Sequence, residues 1–173
     1  DSFFERMEVK DMMAYRKLVV NINDDESFKR VVNKPARGIG DTSLSALTAA
    51  ASHNRTSLFK AAYGDDLEKY GLKPAAIKKI REFCDMIKKL CLRANTEDAH
   101  KVAVDTAAQS GLHMFYKSDT SIEGQSRTAN VEELISSIKV FIEERNSEML
   151  EEMQAEGQIS EGAELTEADM PVV

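Results

Sequence analysis

Apolar residues between positions 77 and 91 fall at Ile77, Ile80, Cys84, Ile87 and Cys91. This alternation of three- and four-residue steps lines one stripe of an α-helix and cannot be matched by a strand, whose side chains repeat every two residues. A helix from about Pro74 to Arg93 carrying that stripe must bury it, so the rest of the chain has to supply apolar partners. The same spacing recurs at Val9, Met12, Met13, Val19 and Val20, at Phe28, Val31 and Val32, and at Leu44, Leu47 and Ala49 to Ala51. It returns at Val131, Leu134, Ile135, Ile138, Phe141 and Ile142. No alternating run of strand length, no Asn-Gly hairpin signal and no internal repeat interrupts the pattern. The fold class that follows is all-α, a helical bundle.

Stop and start signals divide the chain. Asp24, Asp25 and Glu26 put negative charge at the start of one helix, and Asn33-Lys34-Pro35 ends it, because proline cannot continue the ladder and steers Lys34 away from helix. Asp41 or Thr42 is positioned to cap the next helix, Thr56 another that carries Leu58 and Phe59, and Thr96 one that ends at Gly111. Gly71 suits the position just past a helix end and Pro74 a first-turn position. Leu112, Phe115 and Tyr116 form a short apolar patch, and the last helix is expected to run from about Thr128 to Met153. Residues 154–173, with two glycines, one proline and five acidic residues, read as a flexible acidic tail.

The 173 residues suit one domain, and the net charge of −7 is unevenly placed. From Glu143 onward there are ten acidic residues and one arginine, a net of −9, which leaves +2 for positions 1–142. A polyanionic partner therefore stays open. No run of about 18 apolar residues is present to span a bilayer, and there is no signal-peptide layout, so a cytoplasmic location without membrane contact is expected. The chain opens on Asp1 as if in mid-sequence, and a piece of a longer protein is expected. Cys84 and Cys91 lie about 10.5 Å apart along a helix, too far for a disulfide, and are expected as free thiols in a core. His53, His100 and His113 have no ligand-spaced companions, so no metal site is assigned.

The most informative stretch is the loop Lys34 to Leu44. Gly38 and Gly40 bracket Ile39 just before a helix start, an arrangement in which Ile39 plugs the core while the glycine backbones approach an anion closely. The amides of Gly40, Asp41, Thr42 and Ser43 then point outward at a helix N-terminus, with Lys34 and Arg37 beside them. This is the logic of a helix-hairpin-helix clamp that grips a DNA backbone without reading bases. The plainer reading is a tight connector, with the Asp41 side chain capping the amides a phosphate would use. A secondary candidate is the stretch from Tyr70 to Lys79, where three lysines, Lys73, Lys78 and Lys79, sit near a helix start and Lys73 and Lys78 are the ones singled out. Here capping accounts for Gly71 and Pro74 completely, and the stretch is secondary at best. No phosphate loop, nucleophile elbow or His-Glu-x-x-His pair occurs, so no catalytic residue is assigned and this segment is not expected to be an enzyme by itself.

Four blocks carry a family resemblance. Phe3 to Asp11 continuing through Ala14 to Asn21 and Asn23 to Asp25, then Phe28 to Thr42, then Ser110-Gly111-Leu112 with Tyr116, and finally Arg127 to Leu134, resemble in order the segment after motif IV in UvrD, PcrA and Rep type superfamily 1 DNA helicases. The resemblance covers positions 3 to about 142. It implies that residues 22–153 are the helical 2B accessory subdomain, that residues 1–21 are the last 2A-like element and hinge, and that the Gly-Ile-Gly loop contacts duplex DNA. For the intact protein it implies 3′ to 5′ unwinding driven by ATP and Mg, with neither bound by this segment. Partners implied are duplex DNA, the remaining helicase domains in cis and DNA-repair proteins, with the segment itself monomeric. Residues 154–173 match no block of the family. Two other readings compete: a protein-interaction or autoinhibitory docking module without DNA contact, and a helix-hairpin-helix glycosylase, which lacks its Gly/Pro-rich stretch and trailing Asp here.

Overall fold

The computed structural model describes residues 2–157. Eight α-helices, and no strand among the described residues, make up the architecture: α1 (Met7–Val20), α2 (Asp25–Val31), α3 (Asp41–His53), α4 (Leu58–Ala61), α5 (Pro74–Ala94), α6 (Ala99–Gln109), α7 (Leu112–Lys117) and α8 (Ile122–Ala155). Short 3-10 turns at Phe3–Glu5 and Leu67–Tyr70 precede α1 and α5.

Helix α1 is the centre. It packs against α2, α5, α6 and α8, and Val9, Met12, Tyr15 and Leu18 are fully buried. It lies before the boundary expected at residue 21, yet it shares one core with the helices beyond that point. The face anticipated for it is shifted: Tyr15 and Leu18 point inward, Met13 is only half-buried and Val20 is exposed. A polar seam fixes its position. Asp11 accepts from Arg30 of α2 at 2.9 Å and from the Tyr116 hydroxyl of α7 at 2.6 Å. Glu8 accepts from Asn130 of α8 at 2.7 Å, and Asn130 in turn accepts from Arg6 at 3.1 Å. Each carboxylate has its partners within hydrogen-bonding distance, which is the condition for burying it without a large penalty.

The stripe on α5 is as periodicity requires at Ile77, Ile80, Cys84 and Ile87, but Phe83 and Leu90 join it and Cys91 is only half-buried. The seam drifts because 3.6 residues per turn do not divide a seven-residue repeat. Burial pushes the Cys84 thiol up to about 12, with Asp85 adding to the shift. Arg93 bridges Glu97 at 2.8 Å and Asp105 at 2.5 Å, fastening the turn into α6.

Several caps lie one or two residues from the expected ones. Ser57, not Thr56, accepts from the Lys60 amide, and Asp98, not Thr96, accepts from the His100 amide. Helix α6 stops before Gly111, whose φ of +80° starts α7. Helix α8 begins at Ile122 behind a Ser121 cap, six residues before Thr128, and its 34 residues run about 51 Å. It buries Val131, Leu134, Ile135, Ile138 and Ile142, while Phe141 is largely exposed. Gln154 and Ala155, expected in the tail, close the helix, and residues 158–173 of that tail lie outside the described residues.

Candidate nucleic-acid interface

The loop between α2 and α3 is organised by one side chain. The Oδ1 of Asn33 accepts from the amides of Arg37 at 2.7 Å and Ile39 at 3.1 Å, drawing the chain into a tight reversal. Gly38 completes the reversal at a φ of +76°, a conformation that strains a residue with a Cβ. Ile39 then drops into the core at 2% exposure. Gly40, extended at φ −82° and ψ −178°, is the N-cap of α3, so Asp41 is the first helical residue rather than the cap. No side chain caps this helix end. Gly40, Asp41 and Thr42 are exposed and Ser43 half-buried, so the first turn of amides faces solvent without a side-chain acceptor.

Arg37 does not face outward as expected. Its Nη1 donates to the carbonyls of Val31 at 2.9 Å and Val32 at 3.0 Å, and its Nη2 donates to the Tyr15 hydroxyl at 2.6 Å and to the Ser110 carbonyl at 2.7 Å. The guanidinium also lies 4.9 Å from the Phe83 ring centre. A planar fork with several donors suits carbonyls left over at the end of α2, and that internal demand outcompetes a solvent-facing pose. The Tyr15 hydroxyl directs its own proton to the carbonyls of Val31 and Lys34. Burial raises the Tyr15 pKa, and the Arg37 charge offsets part of that shift. The structure makes Arg37 a staple that joins α1, α2 and the α6–α7 corner.

The cations around the loop divide into two groups. The Lys34 ammonium stands 4.6 Å from the Phe115 ring centre and 5.7 Å from that of Tyr116. Lys79 of α5 comes over Gly38 so closely that a Cβ there would meet its Nζ at 2.7 Å. By contrast, exposed Lys78 lines a groove with Asp65, Glu68, Glu82 and Asp85, among carboxylates. Lys73 caps α5 by its backbone and is exposed. The secondary stretch thus meets the loop through Lys79, which spacing did not single out, because helical phase alone does not say which lysine turns toward which loop.

The blocks that carried the resemblance converge in space. Tyr15, Arg37 and Ser110 form one knot; Asp11, Tyr116 and Arg30 another; Glu8 and Asn130 a third. Gly111 lets the α6–α7 corner lie against Pro35, whose Cγ would stand 3.2 Å from a Cβ at that position. A family model describing the UvrD-like helicase C-terminal domain matches residues 1–171. The chain belongs to this family. The match extends through most of residues 154–173, where no family block had been recognised. Among curated relatives, DNA helicase II of Escherichia coli (strain K12) is 33% identical over 153 residues, covering 88% of this chain and 21% of that protein. The ATP-dependent DNA helicase PcrA of Bacillus subtilis (strain 168) is 34% identical over 139 residues, 80% of this chain and 18% of that protein. PcrA of Staphylococcus aureus (strain Mu50 / ATCC 700699) is 28% identical over 141 residues, 82% and 19% respectively. The chain spans about a fifth of the length of these relatives. Among the described residues of this UvrD-like domain, no helix is long and apolar enough to cross a membrane and no cluster of His, Cys, Asp or Glu could hold a metal ion.

Proposed function

We propose that this UvrD-like domain is the duplex-binding, 2B-type accessory subdomain of an ATP-dependent 3′ to 5′ DNA helicase acting in repair or replication. The observation that carries this reading is the two-sided loop from Lys34 to Ser43: Ile39 and Arg37 hold its underside, while the uncapped amides of Asp41, Thr42 and Ser43 face solvent. Backbone amides at a helix N-terminus donate to phosphate oxygens whatever the base sequence, which suits a subdomain that must follow duplex without regard to bases. ATP and Mg belong to other parts of the intact protein under this reading, since none of the nucleotide-binding motifs occurs in these residues. Under this reading helix α1 is counted with the subdomain, because its core residues are shared with α2, α5 and α8.

The test is equilibrium binding of the 173-residue chain to a short blunt duplex across a salt series. Each phosphate contacted releases counterions and contributes about 0.9 to the slope of log affinity against log salt. A slope corresponding to two or more contacts, unchanged between unrelated duplex sequences, is expected. Undetectable or salt-insensitive binding would favour the docking-module reading instead.

A further inference from the structure

We infer that Lys79, on α5 rather than on the loop itself, supplies the positive charge that completes the duplex-contacting surface around Gly38. The inference rests on the duplex-binding reading above and names a residue that neither the loop motif nor the helix spacing identifies. Three observations carry it. First, Arg37, the loop's own arginine, directs both terminal nitrogens of its guanidinium to four internal acceptors rather than to the outer face. Second, the Lys79 ammonium reaches across from the second turn of α5 to the open side of Gly38, where a side chain at that glycine would collide with it at 2.7 Å. Third, Lys79 is exposed and has no carboxylate within ion-pairing distance among the described residues, so nothing internal accounts for this placement.

Gly38 therefore has two roles. Its positive φ turns the chain, and its missing side chain makes the room through which a cation from another helix arrives beside the loop. A lysine delivers a compact point charge with three rotatable donors, which suits a phosphate whose exact bearing changes as duplex advances. Lys34 flanks the other side of the loop, held against the Phe115 and Tyr116 rings. Lys78, one residue earlier, is directed into the acidic groove and is not assigned this role.

The experiment compares Lys79→Gln, Lys79→Arg and Lys88→Gln in the 173-residue chain, by duplex binding across salt and by thermal melting. Lys88 is exposed on the same helix, so it controls for net charge. Lys79→Gln is expected to weaken duplex binding several-fold at low salt and to lower the salt slope by about 0.9, one contact's worth. Lys79→Arg should restore the slope, Lys88→Gln should leave it at the parent value, and all three should melt with the parent. If Lys79→Gln and Lys88→Gln shift binding equally, only general charge is at work and the assignment to Lys79 fails while the duplex-binding reading stands. If the parent chain shows no salt-dependent duplex binding, both fail together.

Discussion

The underside and the outer face of the Lys34–Ser43 loop belong to the same ten-residue turn of chain but obey different rules. Underneath, Asn33, Arg37 and Ile39 are committed to the fold through an Asx-type clasp, a forked staple and an apolar plug. Outside, Gly38, Gly40, Asp41 and Thr42 are exposed. The difference teaches that a motif defined by a handful of consecutive residues is half scaffold and half surface, so its members respond to substitution in opposite ways. It also explains why a charged residue in such a motif is not evidence of a charged surface.

The largest expected effect is Ile39→Asp. It places an unpaired carboxylate at a fully enclosed position, which costs several kcal/mol and is expected to abolish the cooperative melting transition or lower it steeply. A variant that melts within a degree or two of the parent would show that the plug is not part of the core. Next is Arg37→Ala, which takes the Arg37 donor from the carbonyls of Val32 and Ser110 and from one lone pair of Tyr15, while the Val31 carbonyl keeps the Lys34 amide and the Tyr15 hydroxyl. With each unsatisfied buried acceptor costing about 1–3 kcal/mol and water reaching some of them, a net loss of about 2–4 kcal/mol is expected in denaturant unfolding. Arg37→Lys should recover little of it, because one ammonium cannot span four acceptors on two helices and a corner.

Most of the fold was legible in periodicity. The helix-only class, the α5 stripe and the burial of Phe28, Val31 and Val32 all follow from spacing and proline placement. Cap positions were less legible, because Thr56 and Ser57, or Thr96 and Asp98, offer equivalent oxygens and only the surrounding packing chooses between them. Tyr15 and Leu18 were not legible because α1 buries the charged Glu8 and Asp11 and leaves Met7 and Val20 exposed, which blurs its amphipathic contrast. At the candidate site, the inward pointing of Ile39 was readable from its two flanking glycines. The inward turn of Arg37 was not, since its partners Tyr15 and Ser110 lie 22 and 73 residues away in sequence. The approach of Lys79 to Gly38 is a tertiary fact of the same kind.

A middle-sized effect separates the polar seam from the loop. Tyr116→Phe removes the hydroxyl that donates to Asp11 and is expected to cost about 1–2 kcal/mol, measured by chemical unfolding, with duplex binding by the folded fraction unaltered. The alkaline limb of stability offers a second check on the same buried groups. Burial raises the pKa of Tyr15 and Tyr116, and that of the Cys84 thiol to about 12 from 9. Above the ordinary pKa of each group the unfolded chain releases a proton that the folded chain retains. Stability is therefore complete below about pH 9 and falls as pH rises, by up to about 1.4 kcal/mol per pH unit for each such group. Cys84→Ala should flatten the part of the decline between pH 9 and 10, before the tyrosines contribute. An identical slope in that variant would mean that Cys84 titrates as an exposed thiol.

The smallest effect on stability, and the sharpest on the comparison, is expected at Gly40. A Cβ built there meets nothing within 4 Å, and its φ of −82° is open to any residue, so Gly40→Ala strains neither packing nor backbone. The remaining cost is the poorer N-cap of alanine, under about 1 kcal/mol. Yet the added methyl would stand at the lip of the exposed first-turn amides, where it holds a phosphate oxygen away from the Asp41 to Ser43 N–H groups. Duplex affinity should therefore drop several-fold with the melting temperature nearly unchanged, the reverse of Arg37→Ala, in which the folded fraction keeps its outer face. Comparing the two variants at a temperature where both are folded decides the matter. If Gly40→Ala binds duplex as the parent does under those conditions, the outer face contributes nothing and the loop is scaffold on both sides.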